Sequence, residues 1–101
     1  MAELTIDGAS YPLRASIGAY KKFEETTGKS VAAVDTTDFI SQVELVYFFA
    51  EAGCKFEGKH FDIALEDWYE LLTIEDLPLL GEVVTKLMTT KKKRVAAKAG
   101  H

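Results

Sequence analysis

The sequence predicts an α+β fold, with an N-terminal β-hairpin packed on about four short α-helices in a single small domain. Three observations predict it. Apolar residues bracket Asp7-Gly8, four later segments carry a helical apolar period, and Gly28, Gly53 and Pro78 stand where helices stop or begin.

Leu4-Thr5-Ile6 and Tyr11-Pro12-Leu13 flank a turn that needs positive φ, which Gly8 supplies without a Cβ clash and Asp7 tolerates. Ser16 then caps a helix that places Ile17, Tyr20, Phe23 and Thr27 on one face and ends at Gly28. The stretch 29–36 reads as a helical turn or an irregular connection.

Thr37 or Asp38 caps the next helix, placed at 38–52 and closed by Gly53. Phe39, Val43, Val46, Tyr47 and Ala50, with Ile40 at the margin, make one apolar face. Leu45, Phe48, Phe49 and Ala52 make a second, so this helix has apolar surface to bury in two directions.

Residues 54–62 read as a loop or irregular hairpin with Phe56 and Phe61 turned inward. A short helix at 64–72 sets Leu65, Trp68, Leu71 and Leu72 against the core and Glu66, Asp67 and Glu70 outside. Pro78 would harm a helix interior. With Asp76 as N-cap it falls at the second helical position, where its missing N–H loses nothing, so the last helix runs from near Leu77 to about Thr90. Its Leu80, Val83, Val84, Leu87 and Met88 share a stripe. The globular domain is therefore assigned to 1–90, and the basic, Ala-rich segment 91–101 to a disordered tail.

The net charge of −4 conceals a division. Lys91, Lys92, Lys93, Arg94 and Lys98 all lie in the last eleven residues, leaving seven bases against sixteen acids, a net −9, over residues 1–90. An acidic body repels nucleic-acid phosphate, so duplex binding is not expected. The longest apolar run, from Leu45 to Ala50, is far short of the roughly 20 residues of a membrane span, and the N-terminus has no signal-peptide pattern, so the expected location is the cytoplasm. The lone Cys54 forms no disulfide within these 101 residues, as suits a reducing compartment.

Catalytic patterns fail on inspection. Gly28-Lys29-Ser30 imitates the end of a phosphate-binding loop, but that motif needs a Gly five residues earlier, where Phe23 stands, and a helix after the loop instead of before it. Glu66, Asp67 and Glu70 map to the polar side of their helix, where no carboxyl is desolvated for acid/base work. Cys54, His60 and His101 complete no metal or nucleophile pattern. No enzyme activity, cofactor or metal is expected. One feature points to function. Either the two-faced helix is buried on both sides, or Leu45, Phe48, Phe49 and Ala52 stay partly exposed to receive apolar segments of a client or to self-associate.

The order Leu4-x-Ile6-Asp7-Gly8-x-x-Tyr11-x-Leu13, then a helix ending Glu24-Glu25-Thr26-Thr27-Gly28-Lys29-Ser30, then Leu65-Glu66-Asp67 and Glu75-Asp76-Leu77-Pro78, resembles the tail assembly chaperones of long-tailed bacteriophages and prophages. The resemblance implies a non-enzymatic protein that binds the coiled-coil-rich tape measure protein, keeps it soluble, helps recruit tail tube subunits around it and is missing from the finished virion. It also implies that a longer, frameshifted form is made in many members. It carries over no individual binding residue. The rival expectations are a structural protein of the head–tail connector or tail completion type, retained in particles, and an acidic mimic of DNA.

Overall fold

The computed structural model describes residues 2–35 and 37–99, with side chains described as far as Met88. Strands β1 (Ala2–Ile6) and β2 (Ala9–Leu13) pair antiparallel, with Leu4 opposite Tyr11 and Ile6 opposite Ala9. Asp7 at φ 51° and Gly8 at φ 82° form the two-residue turn that the sequence predicts. Along β1 the side chains alternate: Leu4 and Ile6 are buried, while Thr5 meets Ser10 through their hydroxyls, 3.1 Å apart, on the outer face.

Helix α1 (Ile17–Thr27) begins where the Ala19 N–H donates to the Ser16 hydroxyl (3.1 Å) and ends where left-handed Gly28 donates to the Glu24 carbonyl (2.9 Å). Its buried face is Ala19 and Phe23, with Tyr20 half-buried; Ile17 is 71% exposed. Ile17 lies about 120° around the helix from Phe23, outside the stripe that meets the core. A 3-10 turn at Val31–Ala33, capped by Ser30, follows and buries Val31.

Helix α2 (Phe39–Glu57) is the centre of the molecule. The Ser41 N–H donates to Asp38, its N-cap, at 3.2 Å, and left-handed Gly58 closes it, five residues beyond the expected stop at Gly53. Gly53 is not a cap. A Cβ there would stand 2.0 Å from the Pro12 carbonyl oxygen, so the absence of a side chain lets β2 cross the helix backbone to backbone. The Arg14 N–H donates to the Phe49 carbonyl (3.0 Å) at the same crossing. Residues 54–57, expected in a loop, are consequently the last turn of α2; Phe56 is exposed there under the Arg14 guanidinium, 3.8 Å from its ring centroid, while Phe61 turns inward.

Helix α2 packs against β2 and α1, and also against α3 (Leu65–Leu71) and α4 (Leu77–Ala99). Trp68 of α3 is fully buried and its indole N–H donates to the Val43 carbonyl of α2 (3.1 Å). Around it Tyr11, Tyr47 and Phe61 form a cluster of tilted and edge-to-face rings with centroids 5.3 to 6.1 Å apart.

Thr73 and Asp76 cap a 3-10 turn at Ile74–Asp76, with the Thr73 N–H donating to Asp76 (2.9 Å), and Pro78 follows as the second residue of α4. Leu80 and Val84 of α4 are buried. The helix expected to close near Thr90 continues to Ala99, because the intervening Lys, Arg and Ala residues are good helix formers and no Gly or Pro interrupts them. The side chains of the basic segment assigned to a disordered tail lie outside those described.

The Tyr69 hydroxyl donates to the Glu44 carboxylate, joining α3 to α2. Burial first, and then that carboxylate, push the Tyr69 pKa up from 10.0 to about 12. As pH rises through that window the unfolded chain releases the proton while the folded chain keeps it, so stability is intact below pH 10 and declines toward pH 12. Tyr69→Phe is expected to cost about 1 kcal/mol at neutral pH and to make the fall of the urea midpoint shallower across the alkaline window. An equally steep fall would show that the pair does not carry it. Tyr20, Tyr47 and Cys54, also raised by burial, add to the same alkaline fall.

Candidate functional site

The four residues expected as a client-binding face are core. Leu45 and Phe49 are 0% exposed, Phe48 is 6% exposed and Ala52 is half-buried. This corrects the expectation of a partly exposed second face. Four elements surround α2, so both of its apolar faces are covered, and the Phe49 ring already meets the Tyr20 ring at 6.0 Å.

Exposed apolar surface gathers instead where the start of α2 meets the start of α4. Phe39 (47% exposed), Ile74 (83%), Leu77 and Pro78 line a shallow groove of about 760 Å³ together with Gln42, Gly81, Glu82, Thr85 and Lys86. Ile40 and Leu79 add further apolar surface beside lining residues. The groove exists because two local devices fix its walls. Asp38 and Ser41 pin the first turn of α2, and the Thr73–Asp76 cap holds Ile74 outward on a single 3-10 turn.

Gln42 is 3% exposed and sits in the wall between the two helices. Its Nε2 donates to the Asp35 carbonyl at 2.7 Å, which fixes which end of the amide points inward. Its Oε1 is buried with no hydrogen-bond partner among the described residues. Gly81 of α4 faces that oxygen; a Cβ there would lie 3.4 Å from it. A buried acceptor left unpaired costs about 1–3 kcal/mol, so the acceptor stands as a polar mark in an apolar wall.

The groove has an acidic bias. Glu82 and Lys86 line it, Glu75 and Asp76 adjoin Ile74 and Leu77, and Asp38 adjoins Phe39. Hydrogen bonds from Ser41, side chain before backbone, hold the Asp38 carboxyl below its ordinary value and keep it ionised. Lys29 stands 3.8 Å from Asp38 and donates to the Ser41 hydroxyl at 2.7 Å. The Lys of the apparent phosphate motif is thus engaged in the α2 cap.

The other candidate chemistry is dispersed. Glu66, Asp67, Glu70 and His60 are exposed, and the Cys54 thiol is buried, with its pKa raised by desolvation. Among the described residues no group of three or more His, Cys, Asp or Glu side chains could hold a metal ion, and no helix is long and apolar enough to cross a membrane. Sequence reasoning missed the groove because it is built from two short motifs, Asp38-Phe39-Ile40 and Ile74-Glu75-Asp76-Leu77-Pro78, each of which reads alone as a helix start. The available signal was an apolar residue immediately beside a capping acid, twice. Compared with known protein families, curated proteins and solved structures, the chain shows no match.

Proposed function

We propose that this protein is a tail assembly chaperone of a long-tailed bacteriophage or prophage, which binds the tape measure protein and helps recruit tail tube subunits during tail morphogenesis. It acts without catalysis in the host cytoplasm and leaves before the virion is complete. The observation that carries the reading is the groove between α2 and α4, where Phe39, Ile74, Leu77 and Pro78 present apolar surface that no element of the described chain covers. A long helical client exposes apolar stripes until the tail tube encloses it, and a shallow apolar groove on an acidic body suits repeated, reversible shielding of such stripes. The order of hairpin and helices, and the motifs from Leu4 to Pro78, support the same reading.

Co-expression with the tape measure protein encoded beside it tests the proposal. The client is expected to become soluble and to co-purify, and mass spectrometry of purified virions is expected to find no copy of the chaperone. Failure to co-purify, or a stoichiometric presence in particles, would favour a head–tail connector or tail completion protein.

A further inference from the structure

We infer that the groove between α2 and α4 takes a basic amphipathic helix, whose apolar side seats on Phe39, Ile74, Leu77 and Pro78 and which gives a hydrogen-bond donor to Gln42 Oε1. The inference rests on the client reading and names the chemistry of the client segment. Two independent observations carry it.

The first is charge. Asp38, Glu75, Asp76 and Glu82 stand in or beside the groove against Lys86 and Lys29, on a body whose first 90 residues carry a net −9. A segment bearing lysines or arginines beside its apolar stripe meets complementary charge around the groove, whereas an acidic segment is repelled.

The second is the acceptor. Gln42 is almost wholly buried, its amide is oriented by the 2.7 Å bond to the Asp35 carbonyl, and its Oε1 lacks a partner among the described residues. The oxygen has essentially no accessible surface and within the wall it faces Gly81, where an added Cβ would lie 3.4 Å from it, so an incoming donor reaches it with a small displacement of α4 at Gly81. A Ser, Thr, Asn or Gln on the apolar stripe of the incoming helix supplies the missing donor, and a stripe made only of hydrocarbon leaves the acceptor unpaired. Gln42 is thereby a specificity-determining residue.

The test uses the full chain and two designed 18-residue amphipathic peptides with the same Leu/Ile stripe interrupted by one Ser, one with Lys and one with Glu on the polar face. The Lys peptide is expected to bind at least tenfold more tightly at low salt, to shift the amide signals of Phe39, Gln42, Ile74 and Gly81, and to lose most of that preference in 0.5 M salt. Replacing its Ser by Ala is expected to weaken it about fivefold. Ile74→Asp separates docking from general attraction: it makes the protein more acidic, so non-specific attraction would strengthen binding, whereas docking in the groove weakens it. Gly81→Ala, which sets a methyl 3.4 Å from the Gln42 oxygen in the path of the incoming donor and favours the helix, is expected to keep or raise the melting temperature and to weaken the Ser peptide only.

Equal affinity for both peptides, tighter binding by Ile74→Asp, shifts confined to another face, or self-association of the chain without peptide binding would each overturn the inference. If the tape measure protein still co-purified in that event, the chaperone reading would survive. If the peptides bound as described and the tape measure protein did not, the chaperone reading would fall and the groove would remain.

Discussion

Gly53→Ala is expected to break the fold. A methyl group at this position would lie 2.0 Å from the Pro12 oxygen, 2.5 Å from the Pro12 carbonyl carbon and 2.9 Å from the Leu13 nitrogen, all of them backbone atoms that cannot swing aside. The strand is also held to the helix by the Arg14 to Phe49 bond, so relief requires the hairpin to lift from α2. Leu4, Ile6 and Leu13, all buried beneath it, would lose their cover. Overpacking against a side chain costs about 1–3 kcal/mol, and backbone against backbone belongs above that range, a large part of the roughly 5–15 kcal/mol that stabilises a domain. The expected result in a thermal melt followed by circular dichroism is a midpoint lowered by more than about 12 °C, or no cooperative transition at all. A midpoint within a few degrees of the parent would mean that β2 does not cross α2 at Gly53.

Phe48→Asp is expected to leave the chain unfolded. Phe48 is 6% exposed, its ring packs edge-to-face on Tyr47 at 5.1 Å, and it belongs to the continuous core that includes Trp68 and Leu45. Truncating such a ring costs about 3–5 kcal/mol, and a carboxylate in its place adds the penalty of burying an unpaired charge. Amide spectra collapsed to the unfolded range are the predicted readout, with Phe48→Leu retaining dispersed signals. A folded Phe48→Asp protein that had lost only its capacity to associate would instead restore Leu45, Phe48, Phe49 and Ala52 as a working surface.

These two positions mark what the sequence disclosed and where it stopped. Local chemistry was legible: the Asp7-Gly8 turn, the Ser16 and Asp38 caps, the Gly28 stop and the place of Pro78 each follow from one or two residues and recur in the structure. Gly53 was read as a helix stop because Gly ends helices more often than it lines crossings. The difference depends on Pro12, forty-one positions away, which only the fold brings near. The apolar pattern of α2 likewise reveals two faces but not what lies over the second. Tyr20 of α1 meets Phe49 on that second face, while Trp68 of α3 lies against Val43 and Tyr47 of the first.

The groove was the least legible feature, since Phe39 and Gln42 meet Ile74, Pro78 and Gly81 only through the packing of α2 on α4. The period of α2 sets Phe39 on one apolar face with Val43, Val46, Tyr47 and Ala50, yet it sits in the first turn, beyond the reach of the core, and is 47% exposed. A buried amide whose Nε2 is satisfied and whose Oε1 has no partner among the described residues appears in no sequence pattern.

On the reading we propose, this groove, and not the buried face of α2, receives the client. Co-purification of the proposed tape measure client with the double variant Phe39→Asp, Ile74→Asp, alongside the variant's thermal melt, distinguishes the two surfaces. Ile74 is 83% and Phe39 47% exposed, and an acid in the first turn of α2 favours the helix dipole and offsets part of the lost Phe39 packing, so the melt is predicted to stay within a few degrees of the parent while the client is lost. A double variant that melts like the parent and still brings down the client in parental yield would place the client elsewhere on the protein.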